Sequence, residues 1–307
     1  MAKESKRRDK FSPLTVIMLA VLSIYVIALL FMLVWGLMQS LKHPHLFAYD
    51  KESFWKFNEL TFANYKAVLL YANSNWTGSA AGSPGFGEMI LNTMLYAVGG
   101  AFLNAAITCL MAYLTARYSY FYSKIIYTIV IVVMVVPIVG AQASEIEILE
   151  RFHLYDKRFS FMVLKASFVG MYFLVFYASF KTIPMTYTEA AMMDGASDWC
   201  IMTKICLPLV LNVFMTVFLI TFIQYWNDYQ LAMLYMPSYP TLSFFVFNYQ
   251  NHRMNVNVPG YMYNPVDTGS KTSVLAATFF LIIPISILFM AFHERLMGNL
   301  SIGGIKG

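Results

Sequence analysis

Charge is scarce in this sequence. Lysine, arginine, aspartate and glutamate together make up 12% of its 307 residues, about half their share in an ordinary soluble domain. A soluble globule of this length has too little polar surface to hide so apolar a composition and stay dispersed. Cysteine is rarer still. Cys109, Cys200 and Cys206 are the three present, with no close pair, no metal-ligand spacing and no histidine nearby. That excludes a disulfide scaffold and a cysteine-based metal site, and leaves the three as packing residues. No Gly-x-x-x-x-Gly-Lys-Ser/Thr phosphate loop occurs. Basic residues are not gathered into a patch with interleaved aromatics, so nucleic acid is not a partner. Catalytic clusters are equally thin. Glu145, Glu147 and Glu150 form the nearest approach to an acidic constellation and read as one solvated helix face. His43 and His45 flank Pro44 without a third ligand.

What remains is apolar. Hydrophobic residues make up 59% and aromatics 17%, and the mean hydropathy is +0.60. A spanning helix needs about 20 predominantly apolar residues, and six runs qualify: 11–41, 89–116, 125–144, 159–180, 205–227 and 272–292. The fourth contains Lys165 near its start, where it can snorkel or face protein. The expected fold is therefore all-α, a polytopic membrane bundle of six transmembrane helices. The first run is too long for a signal peptide and lacks a small-residue cleavage site, so it is expected to stay as an anchor. The net charge of +5 is concentrated ahead of it in Lys3, Lys6, Arg7, Arg8 and Lys10. That flank favours a cytoplasmic N-terminus, and six spans then return the C-terminus to the same side. The resulting division is a basic flank (1–13), a first span (14–41), an outer segment (42–88), a membrane core (89–292) and a glycine-rich cytoplasmic tail (293–307). A second outer segment, 229–271, carries an apolar stretch, 242–250, that is too short to span and is expected at the interface or re-entering. No internal repeat is visible.

The loop expected between spans four and five, residues 184–208, is the most informative segment. Thr186 followed by Glu189 has the spacing of a capping box, which starts a helix at Tyr187. Ala190, Ala191, Met192 and Met193 favour helix, and Asp194-Gly195 closes it, with glycine as the left-handed residue. Ser197 or Asp198 then caps a second short helix towards Cys206, and Pro208 falls early in the next span. Small side chains at Ala190 and Ala191 leave room for a second surface to approach. With no partner, the same residues would form an ordinary interfacial helix pair.

Glu189-Ala190-Ala191, Gly195 after three residues, Ile205 after nine more, and Leu207-Pro208 together resemble the EAA signature of binding-protein-dependent ABC importer permeases. Tyr225-Trp226-Asn227-Asp228, Asn92-Thr93 and the tail from Gly298 to Gly307 resemble the second permease subunit of the maltose-type carbohydrate importers. The resemblance runs from about residue 60 to the end and departs from the family at 251–270 and in Gly82–Gly87. It implies a non-enzymatic subunit forming half of a translocation pathway. The implied partners are a second permease subunit, two copies of a cytoplasmic ATPase that binds ATP and Mg, and an extracytoplasmic solute-binding protein. It also implies that Glu189, Ala190, Ala191, Asp194, Gly195, Ile205, Leu207 and Pro208 form the ATPase-coupling element, and that the tail reaches between the ATPase subunits.

The pathway should be lined by polar groups that lipid tolerates least. Gln224, Asn227 and Asp228 are spaced to share a helix face, with Tyr225 beside them. Amides and carboxylates can bond sugar hydroxyls, and an aromatic face can stack on a pyranose. Asn92, Asn104 and Gln142 are weaker candidates. The alternatives are inter-helix hydrogen bonding or the polar end of a span. A carbohydrate is the expected solute, with glycerol phosphate or peptide as alternatives. A membrane-embedded glycan or lipid transferase and an ion-coupled transporter are the competing classes.

Overall fold

The structure is a computed structural model that describes residues 13–42, 60–74, 85–118, 120–136, 140–251 and 271–300. Residues 1–12, the first half of the Gly/Pro-rich stretch, the 252–270 segment and the residues after Leu300 lie outside the described residues. Among the described residues the fold is all-α, with a single isolated antiparallel bridge between Lys42 and Leu60.

The helices, in order, are α1 (Pro13–Ser40), α2 (Ala63–Ser74), α3 (Phe86–Arg117) and α4 (Phe121–Val135). They continue with α5 (Ala141–Arg151), α6 (Ser160–Lys165), α7 (Met171–Thr182) and α8 (Met185–Met193). The last four are α9 (Asp198–Asn227), α10 (Gln230–Tyr235), α11 (Leu242–Asn251) and α12 (Lys271–Leu300). Four of them, α1, α3, α9 and α12, are long and apolar enough to cross a membrane.

Two expected spans are shorter or broken. The run 125–144 ends as a helix at Val135. Val136 is extended, as expected for a residue that precedes a proline, here Pro137. Gln142 and Ser144 belong instead to the polar helix α5, entered through Gly140 at φ +80°. The run 159–180 is interrupted between α6 and α7, where Gly170 sits at φ +148°, a conformation open essentially to glycine. Apolar length in the sequence does not register such a break. At the C-terminus, α12 continues to Leu300, so the first part of the expected tail is helical.

The chain divides into two compact units. The smaller comprises residues up to Val68 together with 254–279. Its helix α1 is exposed along almost its whole length, with leucines, isoleucines and valines on every side, as befits a helix solvated by lipid. Its C-terminal carbonyls are closed by Asn64, whose Nδ2 donates to Ser40 O and Lys42 O, both at 2.7 Å.

In the larger unit, α3 runs alongside α7 and α9. Ala105, Cys109, Ala112 and Ala116 make a small-residue stripe on α3, and Phe173, Phe176 and Phe180 of α7 are buried in the same cluster. Small side chains let helices approach closely where lipid supplies no hydrophobic drive. Trp226 is fully buried and donates its Nε1–H to Leu281 O at 3.1 Å. Cys109 and Cys206 are buried core residues. Lys165 faces protein, 3.8 Å from Glu145, and Glu145 also accepts a hydrogen bond from the Tyr235 hydroxyl. Glu147 pairs with Arg151 one turn on, in solvent.

Candidate functional site

Two constellations in the larger unit bear on function. The first is the 184–208 loop. Helix α8 starts at Met185 with Pro184 as an extended N-cap and no side-chain cap, so the expected capping box does not form. Thr186 lies inside the first turn, past the position from which its hydroxyl could cap. Proline's fixed φ provides the entry instead. The end of the helix follows the glycine expectation. Gly195 has φ +76°, its N–H donates to Met192 O at 3.0 Å, and the Ala196 N–H donates to Ala191 O at 2.9 Å. These two bonds are the Schellman pattern that satisfies the last carbonyls. Ser197 caps the next helical turn, its Oγ accepting from the Cys200 N–H at 3.4 Å. The second short helix is not separate, however. It is the start of α9, continuous through a wide π turn, Ile201–Cys206, in which the Leu207 N–H reaches back to Met202 O. Pro208 comes directly after and supplies no N–H to an ordinary ladder.

The loop has two faces. Thr188 and Ala191 turn inward, and Ala191 packs with Ile183, Ile201 and Cys206. Glu189, Ala190, Asp194 and Gly195 are exposed, flanked by Met193 at 89% and Trp199 at 67% exposure. This corrects the pairing of the two alanines: only Ala190 is open to an approaching surface, while Ala191 anchors the helix. Ile205 and Leu207 are half-buried and Pro208 is exposed.

The loop is held by residues that its own sequence does not contain. At the end of α3, Arg117 Nη1 donates to Ile183 O at 3.1 Å, just ahead of α8, and touches Met185 Sδ at 3.1 Å. Its Nη2 lies 3.9 Å from Cys206 Sγ. Tyr118 next to it lies near Asp198 at the start of α9. Burial, the nearby Asp198 and neighbouring Tyr113 push the Tyr118 hydroxyl well above its usual range, so it stays protonated. A basic residue and a tyrosine ending a long apolar run were the available signal. The carbonyl that Arg117 meets lies 66 residues away in sequence.

The second constellation is the break between α6 and α7. A break frees backbone carbonyls that lipid cannot satisfy. Asn104 Nδ2 donates to Lys165 O at 2.9 Å and Ser167 O at 3.1 Å, and Thr108 Oγ1 adds a bond to Ser167 O at 3.3 Å. Beside it opens a cavity of about 210 Å³ whose lining includes Asn104, Gly170, Tyr172, Thr221, Gln224 and Tyr225. The structure thus brings together Gln224, Tyr225 and Asn104 from the candidates, and adds Tyr172 and the irregular backbone.

Asn92, Asn227 and Asp228 do not line this cavity. Asn227 Nδ2 bonds Ile223 O in its own helix. Asp228 lies past the helix end with an extended backbone, so it does not share a face with Gln224. Its carboxylate accepts from the Tyr96 hydroxyl at 2.8 Å and from the Leu231 N–H at 3.1 Å, which caps α10. Asn92 is buried and donates to Pro240 O at 3.3 Å. Gln142 is on α5, outside the cavity.

Comparison with known proteins gives these features a context. Residues 105–300 match the family described as "Binding-protein-dependent transport system inner membrane component". The chain belongs to this family, and it is a transport permease component rather than an enzyme. It is 23% identical over 239 residues to the diacetylchitobiose uptake system permease protein NgcG of Streptomyces coelicolor, covering 77% of this chain and 73% of that one. It is 26% identical over 220 residues to the sulfoquinovosyl glycerol transport system permease protein SmoH of Agrobacterium fabrum, covering 71% and 73%. A crystal structure of a bacterial ABC transporter involved in import of the acidic polysaccharide alginate has a chain of the same fold. Its TM-score is 0.75 at 20% identity, with 93% of this chain and 98% of that chain covered.

Proposed function

We propose that this chain is a permease subunit of an ATP-driven carbohydrate importer and that its 184–208 loop is the element that engages a cytoplasmic ATPase. Sugar uptake by relatives that align over more than two thirds of the chain supports the solute class. The observation that carries the coupling reading is the loop's construction. A short helix presents Glu189 and Ala190 outward, is closed by a left-handed glycine, and is pinned at its base by Arg117. In this reading α4 and the broken pair α6/α7 complete six crossings with α1, α3, α9 and α12, and both termini are cytoplasmic. A second permease, two ATPase copies and a solute-binding protein complete the assembly. Gln224, Tyr225 and Asn104 face the solute from the cavity at the helix break.

Reconstitution with those partners in proteoliposomes tests the assignment. Oligosaccharide uptake is expected only with ATP, and a cysteine at position 193, in a Cys200→Ser background, is expected to react with impermeant reagent only from the cytoplasmic side. Uptake without the ATPase, or labelling from outside, contradicts the reading.

Arg117→Met keeps the stem but removes the bond to Ile183 O. Hydrogen bonds to charged groups contribute about 1.5–3 kcal/mol. The expected result is an assembled transporter in which solute stimulates ATP hydrolysis several-fold less, measured against the unstimulated rate.

A further inference from the structure

At the end of the bundle that carries the 184–208 loop, the last residues of α3, the first turns of α4, the end of α7 and Met185 enclose a cleft of about 610 Å³. Its charged lining residues are all cationic: Arg117, Lys124 and Lys181. Arg117 is already engaged with Ile183 O and Met185 and acts as a fixed charge. The two lysines are exposed, and neither ammonium pairs with a carboxylate among the described residues. Lys181 Nζ sits 5.6 Å above the Tyr177 ring. Asp198, the carboxylate at the start of α9, lies near Tyr118.

This cationic cleft adjoins an open apolar groove. Lys124 and Thr128 also border a second groove of about 350 Å³ that continues along α4 between Ile125, Ile129, Val132 and Val133 and is almost wholly apolar. Tyr120 lines the cleft, and Tyr120, Phe121 and Tyr122 are exposed at 66%, 74% and 73%, as aromatics are at a membrane–water boundary. Charge at one end and an open apolar groove along one helix at the other, joined at Lys124, match a molecule with the same division.

We propose that this site binds an anionic phospholipid, with its phosphodiester headgroup between Lys124 and Lys181 and an acyl chain in the α4 groove. Basic pockets between helices at the cytoplasmic side suit such headgroups. A free phosphate would share the headgroup chemistry but leave the groove unused. The site does not depend on which solute is transported. Because it rests against the base of the 184–208 loop through Arg117 and Met185, occupancy would brace that loop.

The test uses the assembled transporter, delipidated in mild detergent and titrated with phosphatidylglycerol or phosphatidylcholine, with bound lipid counted by native mass spectrometry. Phosphatidylglycerol is expected to be retained in preference to phosphatidylcholine. The double variant K124Q/K181Q, at two exposed positions, is expected to weaken retention roughly thirtyfold, from about 1 kcal/mol per basic group at a membrane surface. Ile129→Trp, which fills the groove without touching charge, is expected to weaken it as well. Equal retention of the two lipids overturns the proposal, as does unchanged affinity in the lysine double variant. Displacement of the lipid by equimolar glycerol 1-phosphate or inorganic phosphate overturns the lipid assignment in favour of a free anion.

Discussion

Gly195→Pro combined with Glu189→Lys is expected to abolish solute-driven ATP hydrolysis and uptake while the membrane bundle still folds. Gly195 sits at φ +76°, and proline holds φ near −65°. The substitution also deletes the N–H that bonds Met192 O at 3.0 Å, and moving the backbone unseats the Ala196 N–H from Ala191 O. Nothing lies within 4 Å of a Cβ at this position, so the damage is to the backbone alone and redirects the chain between α8 and α9. Reversing the charge at Glu189 alters the exposed face that an ATPase would meet. Gly195→Asn is the control. Asparagine tolerates the left-handed region and should keep most activity. Normal coupling in the double variant, measured as the ratio of solute-stimulated to basal ATP hydrolysis, would remove the loop from the mechanism.

Asn104→Leu should have the largest effect on stability. The amide closes two carbonyls at the α6–α7 break, Lys165 O and Ser167 O. Leucine of similar size removes both donors. Ser167 O keeps the Thr108 hydroxyl, so the loss falls on the part-buried Lys165 O, at about 1–3 kcal/mol if it were fully buried. The adjoining cavity admits water to one side, which limits the loss. The expected outcome is a thermal unfolding midpoint lowered by several degrees, with weaker uptake at permissive temperature. Thr108→Val removes only the longer bond to Ser167 O and should cost less. Equal midpoints for Asn104→Leu and the parent would mean that water alone satisfies the break.

The sequence made the loop legible because its signals are local. A glycine that must be left-handed and a serine that can cap leave their marks within a few residues, and both features are present. The capping box failed for an equally local reason: Pro184 starts the helix two residues early and carries Thr186 inside it. The pathway candidates fared unevenly because polarity does not reveal its partner. Asp228 looked available from its spacing, yet it serves Tyr96 and the α10 N-terminus. Asn104 ranked low and yet carries the helix break. Arg117 was marked only by its place at the end of an apolar run, because the carbonyl it meets is distant in sequence.

Composition and apolar run length determined that this is a helical membrane protein, because burying so much apolar surface in lipid is a bulk property that needs no contacts to be read. The residues from Glu189 to Pro208 carried the resemblance to the family that the match over residues 105–300 shows, since a signature of this kind lies within one short segment. Only the tertiary structure decided that two of the six runs are short or broken, that Ala191 faces inward, and which amide meets which freed carbonyl. The last of these depends on hydrogen bonds between segments about 60 residues or more apart, and no short window along the chain contains both partners.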